Sequence, residues 1–555
     1  MASFLSKEHI TAGASFNRWL VPPAALAIHL SIGMAYGFSV FWKPLGNALM
    51  GSDGKPLAAC AAGATTFGDK LSGTMRALTA TDCNWTQFDL GWMYTLFFVL
   101  LGCSAALWGG WLEREGPRKA GLVSTLCWCG GLLISAYGVY AHQLWMMWLG
   151  SGVIGGIGLG LGYISPVSTL IKWFPDRRGM ATGMAIMGFG GGAMIGSPLA
   201  TKLMTYFATP TSVGVWQTFV ALSAIYFVFM LCGALGYRVP AVGWKPANWT
   251  PPVTAKNTMI ATKHVHLKNA HKTPQFWLLW IVLCMNVSAG IGIIGAAAPM
   301  LQETFGGALI GQAGLGFADI KKDEAMTAAT AAVGAGFVGL ISLFNIFGRI
   351  GWASSSDKLG RKRTYFIFFV LGAIMYCTAT YMAGLKSLAL FVASFCVIAS
   401  MYGGGFATIP AYLADMFGTQ FVGAIHGRLL TAWSTAGILG PVVVNYMHDT
   451  RLEKGIPFDQ VYAPIFVVLA GLMVVGFVAN LLVKPVADKY FMTDTELAEV
   501  HRISHEKSLE NGAKKLIVSD SAQHPILVKL AWVAVLIPIS YGVWSTVQKA
   551  WALFS

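Results

Sequence analysis

Charge is what this sequence has least of. Asp, Glu, Lys and Arg make up 11% of its 555 residues, against about 25% in an ordinary soluble domain. So small a complement cannot cover a water-facing surface, and the hydrophobic 55% requires lipid as its solvent. The opening stretch lacks a basic region followed by a short apolar core and a small-residue cleavage site. Pro22 and Pro23 open a full-length apolar run instead, so the first helix is expected to stay uncleaved. No G-x-x-x-x-G-K-[S/T] follows a strand, which excludes a phosphate-binding loop. No cluster of His, Asp or Glu falls within the apolar runs, which excludes an integral-membrane enzyme. No cofactor is expected. Seven of the nine cysteines (Cys103, Cys127, Cys129, Cys232, Cys284, Cys377 and Cys396) lie inside apolar runs, where the thiol acts as a small apolar group. The C-x-C pair Cys127 and Cys129 has no partner His or Cys nearby and gives no metal signal. Cys60 and Cys83 fall in the first long loop, on the outer side, and are either disulfide-bonded or two free thiols.

What is present is a series of apolar runs of about 20 residues, the length that crosses a hydrocarbon core of about 30 Å. Spans are expected near 19–42, 91–112, 120–140, 144–171, 180–206, 215–237, 275–301, 327–352, 364–384, 387–413, 422–446 and 461–483. A further run, Pro525 to Val547, either crosses as a thirteenth or lies flat on the membrane. The net charge of +14 does not point to nucleic acid, because Lys and Arg sit in alternate loops: Arg114, Arg118 and Lys119; Lys172, Arg177 and Arg178; Lys358, Arg361, Lys362 and Arg363. Such loops face the cytoplasm. The expected setting is therefore a cell inner (plasma) membrane, crossed many times, with the N-terminus cytoplasmic.

The chain repeats itself. Glu113-Arg114-Glu115-Gly116 and the basic pair Arg118-Lys119 reappear 244 residues on (357 − 113) as Asp357-Lys358-Leu359-Gly360 and Lys362-Arg363. The same offset joins Pro166 to Pro410, Gly179 to Gly423 and Gly183 to Gly427. A duplicated six-helix unit follows. The expected organisation is an N-terminal half over 1–238, a linker over 239–272, a second half over 273–484, a polar cytoplasmic segment over 485–524 and the possible extra membrane helix over 525–555. The linker carries Lys263, His264, His266, Lys268, His271 and Lys272; a solvated basic loop explains these better than a metal site. Halves repeated about an axis along the membrane normal are the arrangement in which a solute binds near the midplane and the halves rock.

The acid, basic pair and glycine after spans two and eight resemble the signature motif of the major facilitator superfamily, with Glu113 in place of the usual Asp. Glu113, Arg114, Gly116, Asp357, Lys358, Gly360 and Arg361 are therefore candidate gating residues, the acids accepting from a neighbouring helix N-terminus or Arg. Positive-inside charge alone explains the bases but not the acid and glycine at fixed spacing. Spans four and five are dense in glycine, as closely packed sliding helices require. Arg349 precedes Asp357 by eight residues, about 12 Å along a helix. A cation at that depth either faces a solute path or snorkels to the headgroups, and its planar fork suits a carboxylate. Tyr36, Tyr163, Tyr402 and Trp433 lie in other spans. His29 and Asn286 are polar residues within spans, His29 as a proton carrier or as an internally bonded side chain.

Across nearly all twelve spans the chain resembles the oxalate/formate antiporter family. Asn17-Arg18-Trp19, Trp173-Phe174-Pro175-Asp176-Arg177-Arg178-Gly179, Thr273-Pro274-Gln275-Phe276-Trp277 and Phe344-Asn345-x-x-Gly348-Arg349 carry the likeness. The resemblance implies an all-α membrane fold of two six-helix halves and an anion held by an Arg in span eight and a Lys in span eleven within an aromatic cage. The Arg falls on Arg349 and the cage on Tyr36, Tyr163 and Tyr402. The Lys falls on Trp433, so one of the two charges is missing. A dicarboxylate facing one cation would leave a carboxylate unpaired, at a cost of several kcal/mol. The expectation is a transporter of a small monocarboxylate (formate, lactate, pyruvate or acetate), with a proton or counter-anion as coupled species and a monomer as the working unit. An oxalate/formate exchanger and a non-transporting sensor on the same fold are the alternatives. Arg428 either replaces the missing charge or faces the cytoplasm. The last apolar run looks like an accessory membrane segment found beside some such carriers, here fused.

Overall fold

The computed structural model describes residues 4–13, 16–51, 56–61, 63, 67–210, 212–241, 244–247, 249–250, 259–510 and 525–551. Residues 251–258 of the expected linker and 511–524 of the expected polar segment lie outside them. Among the described residues thirteen helices are long and apolar enough to cross a membrane. They are α1 (Arg18–Gly46), α2 (Gln87–Glu115), α3 (Pro117–Tyr140), α4 (Leu144–Trp173), α5 (Arg178–Phe207), α6 (Val215–Gly236), α7 (Pro274–Ile310), α8 (Glu324–Leu359), α9 (Arg361–Gly384), α10 (Leu388–Phe417), α11 (Val422–Glu453), α12 (Phe458–Leu482) and α13 (Pro525–Gln548).

Each expected span is met by one helix, and the differences lie at the ends. α8 outruns the predicted 327–352 because Asp323 caps its start, accepting from the Met326 amide at 3.0 Å, and nothing stops it before Gly360 at φ 87°. α2 opens on a capping box between Thr86 and Asp89 and ends at Gly116, φ 94°. This left-handed region suits glycine and lets α3 and α9 begin at once. Two helices depart from α geometry. α1 tightens to a 3-10 helix over Gly33–Phe41, the stretch that carries Tyr36, and α4 widens to a π-helix over Trp148–Gly155. Such irregularities often mark functional segments.

The two halves pack alike. α1 lies on α5, α2 on α4 and α3 on α6; α7 lies on α11, α8 on α10 and α9 on α12. The halves meet along two seams, α5 against α8 and α2 against α11. The duplicated glycines sit at these seams. A Cβ on Gly183 of α5 would lie 2.7 Å from the Arg349 carbonyl of α8, and one on Gly427 of α11 would press on the Ala105 carbonyl of α2. Backbones come this close only where side chains are absent.

The basic loops share one face, with the ends of α2, α4, α8 and α10 and the starts of α3, α5, α9 and α11. On the opposite face Cys60 and Cys83 are joined as a disulfide, with Cα atoms 5.0 Å apart. There the His142 ring stacks on Trp85 at 4.4 Å and its Nε2 lies 2.8 Å from the Cys83 carbonyl. Burial holds this imidazole below the ordinary histidine value.

α13 runs in the same direction as α1 and does not lie flat across the helix ends. Its Trp532 indole donates to the Trp19 carbonyl at 3.0 Å, and Val535 is buried among Leu26, Ala27 and Leu30. Further along, Tyr541 accepts from Lys202 at 3.0 Å, Gly542 faces Met194 and Ile195, and Thr546 meets Gly339 of α8. It therefore touches both halves across the α5–α8 seam.

Candidate functional site

On the basic face the acids of the repeated motif reach across the seams. Asp357 of α8 accepts from the backbone amides of Gly179 (2.8 Å) and Met180 (3.0 Å), which open α5 in the other half. Glu113 of α2 accepts from the Gly423 amide that opens α11 (3.0 Å), from Ser168 (2.9 Å) and from Lys172. A carboxylate at a helix start meets unpaired N–H groups and the positive end of the dipole together. Arg361 links Asp357 (2.6 Å) to Asp415 (3.0 Å), and Arg178 of α5 reaches the same Asp415 at 2.9 Å. These pairs tie the halves shut on the basic face. Gly116 and Gly360 turn the chain so that the acids point inward. Arg114 and Lys358 stand exposed and take no part in the lock. Their neighbours in the repeat, Arg118 and Lys362, instead bond the carbonyls that end α6 and α12.

Beyond this lock, deeper in the core, sits Arg349, 1% exposed. Its Nε donates to Asn345 (3.0 Å) one turn earlier and its Nη1 to the Ile186 carbonyl of α5 (2.9 Å). Its Nη2 has no hydrogen-bond partner among the described residues. The guanidinium lies 6.0 Å from the Phe189 ring centre and 5.7 Å from that of Phe406, within cation–π range. The aromatic neighbours form one cluster. Trp433 stands 4.5 Å from Phe406, 5.2 Å from Tyr163, 5.4 Å from Phe189, 5.7 Å from Phe98 and 6.3 Å from Tyr36. The Tyr36 and Tyr402 hydroxyls meet at 3.3 Å across the halves.

Several buried polar atoms of this cluster are unpaired among the described residues: Arg349 Nη2, the Tyr163 hydroxyl, Trp433 Nε1 and both ring nitrogens of His426. Buried polar groups are nearly always bonded, so such a concentration calls for a polar guest. The set is rich in donors and holds one fixed positive charge, the complement of a small anion.

The sequence profile described as Major Facilitator Superfamily matches residues 57–441 and 288–552. The chain belongs to the major facilitator superfamily. The oxalate:formate antiporter of Oxalobacter formigenes is 26% identical over 352 residues, 62% of this chain and 73% of that one. Apicoplast pyruvate carrier 1 of Toxoplasma gondii is 24% identical over 403 residues, 61% of this chain and 66% of that one. Among solved structures, a major facilitator transporter, FucP, in the outward conformation superposes with a TM-score of 0.52 at 11% identity, covering 83% of this chain and 99% of that one.

As a facilitator the protein is a multi-pass membrane transporter and not an enzyme. The sequence-expected residues Arg349, Tyr36, Tyr163, Tyr402 and Trp433 meet in one place; Phe98, Phe189, Phe406 and His426 complete the wall and were not singled out. Nothing in a sequence with 33 phenylalanines marks three of them, but His426 carried a signal, a polar residue shortly after the start of a span. The ring nitrogens of His29 face the Tyr163 carbonyl (Nε2, 3.1 Å) and the Ala185 carbonyl (Nδ1), and a neutral ring donates to one of the two. Arg428 points away and bonds the Leu267 carbonyl (2.9 Å) and His271 (3.0 Å). The seams yield a direct expectation. Gly183→Leu would force α5 from α8 and should lower transport at least about tenfold, read as solute uptake per inserted protein.

Proposed function

We propose that this facilitator carries a small monocarboxylate, such as formate, lactate, pyruvate or acetate, by alternating access, in an inner membrane whose cytoplasmic side is the basic face. The observation that carries this reading is the single fixed cation. Among the described residues Arg349 is the one Lys or Arg in the cage, and Trp433 fills the place where the oxalate/formate resemblance expects a lysine. One carboxylate can pair with the free Nη2 edge of Arg349 and accept from Tyr163 and Trp433. A second carboxylate would meet aromatic rings and lose its hydration without compensation, at several kcal/mol. The relatives named for a pyruvate carrier and an oxalate:formate antiporter support a carboxylate as the solute.

Transport then follows from geometry. With the basic-face lock closed and the Tyr36–Tyr402 hydroxyls 3.3 Å apart, the cage is closed on the basic face and narrowed at the half-buried Tyr36 on the other. Opening the tyrosine side admits the anion from outside; breaking the carboxylate caps at Gly179 and Gly423 releases it inside. Exchange with a second anion is the other reading, favoured by the antiporter relative, and it uses the same site and the same two gates.

Substitution at position 433 tests the charge argument. Trp433→Lys is expected to confer uptake of labelled oxalate into proteoliposomes, at least about tenfold above the parent, since it returns the second cation. A parent that already takes up oxalate as fast as formate would refute the single-cation site.

A further inference from the structure

The cage borders two histidines in opposite circumstances. His29 lies between backbone carbonyls of α4 and α5, and its single neutral N–H serves one of them. His426 of α11 is fully buried, its ring centre 6.0 Å from that of Tyr163, and neither of its nitrogens has a hydrogen-bond partner among the described residues. A neutral imidazole always presents one N–H and one lone pair, and leaving both bare in a dry interior is costly. It lies seven residues before Trp433 on α11, so it stands on the basic-face side of the cage, between Tyr163 and the lock.

Among the described residues of the helices packed around it, no carboxylate facing it is left free. α2 brings Glu113, already bonded to Gly423, Ser168 and Lys172. α4 brings Tyr163 and Lys172, and α10 brings Tyr402, Tyr412 and Asp415, the last tied to Arg178 and Arg361. α7 brings Cys284, and the short helix Leu267–Ala270 brings Lys268, beside His271 and Arg428. His29 of α1 and Arg349 of α8 act from beyond Tyr163. No Asp or Glu among the described residues lines the cage.

We propose that His426 is the proton carrier of the site: it takes up one proton as a monocarboxylate binds at Arg349 and surrenders it on the basic face when the lock opens. This rests on the monocarboxylate reading. The proton is held on the basic-face side of Tyr163, apart from the carboxylate at Arg349, and anion plus proton move as a neutral pair, so the only net transfer is one carboxylate and one proton in the same direction. Linkage makes the coupling reciprocal: bound anion favours the proton as much as bound proton favours the anion.

The test uses purified full-length protein in detergent and formate as probe. Titration calorimetry in two buffers of different ionisation heat counts protons on the unmodified chain, and the expected count is about one proton taken up per formate bound near neutral pH. Formate affinity should fall about tenfold per pH unit between pH 6 and 8. In His426→Gln and His426→Asn the proton count should drop to near zero and the affinity should become flat with pH, while in Arg349→Gln formate binding itself should be lost. Formate binding by the parent with no proton uptake overturns the proposal, as does an undiminished pH slope in either His426 variant. Absence of formate, lactate and pyruvate binding by the parent at every pH overturns instead the monocarboxylate reading beneath it.

Discussion

Arg349→Gln is expected to lower monocarboxylate uptake at least about 100-fold, the consequence of losing about 3 kcal/mol of charge-assisted pairing in a dry site. The glutamine keeps a hydrogen-bond donor and most of the volume, so the loss reports charge more than shape. Arg349 is 1% exposed, so its guanidinium does not reach headgroups, and the two bonds it makes leave one edge open. Both bonded partners are neutral oxygens: the Asn345 side chain and the Ile186 carbonyl. The charge is therefore held in position without being neutralised, which is what a clamp for a passing anion needs. The check is initial-rate uptake into proteoliposomes with matched protein content. Arg349→Lys should restore only part of the rate, because a point charge cannot reproduce the planar fork.

Asp357→Asn is expected to shift the resting equilibrium toward the state open on the basic face by about 10- to 100-fold and to slow turnover without blocking insertion. Asp357 accepts two amides at the start of α5 as well as Arg361, and hydrogen bonds to a charged group contribute about 1.5–3 kcal/mol. The shift is measured by the labelling rate of a cysteine at Ala353, fully buried at the α5–α8 seam, after the exposed free cysteines Cys103, Cys232 and Cys377 are replaced. A membrane-impermeant reagent on the basic side should modify it faster in the Asn variant. Equal labelling and equal turnover would remove Asp357 from the gate. Glu113→Gln should act in the same direction at the α2–α11 seam.

Much of this architecture is legible in the sequence because lipid imposes one rule: backbone polar groups must be satisfied within helices, and helices must be about 20 apolar residues long. The superfamily's fold follows from twelve such runs and a repeat at constant offset. The offset itself has a physical cause visible at Gly179 and Gly423, each an amide capped by the acid of the other half. Helix ends were less legible. α8 continues to Leu359 because its end is set by a glycine turn and not by the edge of the apolar run. The extent of the site was only partly readable. Arg349 stands out since a cation in a span is costly, and Tyr36, Tyr163 and Tyr402 followed from the resemblance. Phe98, Phe189 and Phe406 did not, because an aromatic facing a cage and one facing lipid have the same sequence signature. His426 sits beside Arg428 near the start of a span, where a polar residue reads as an interfacial one; the packing of α2, α4 and α10 around the start of α11 buries it. The seating of α13 was likewise unreadable, since a run apolar on all sides does not say which helices it meets.

The central claim is that one fixed cation selects one carboxylate, and the most direct measurement is counterflow by the unmodified protein. Proteoliposomes loaded with unlabelled formate, lactate or oxalate are diluted into the same labelled anion, and initial exchange is compared. The single-cation site predicts rapid counterflow of formate or lactate and oxalate counterflow at least about tenfold slower. Counterflow with oxalate and with no monocarboxylate would contradict it.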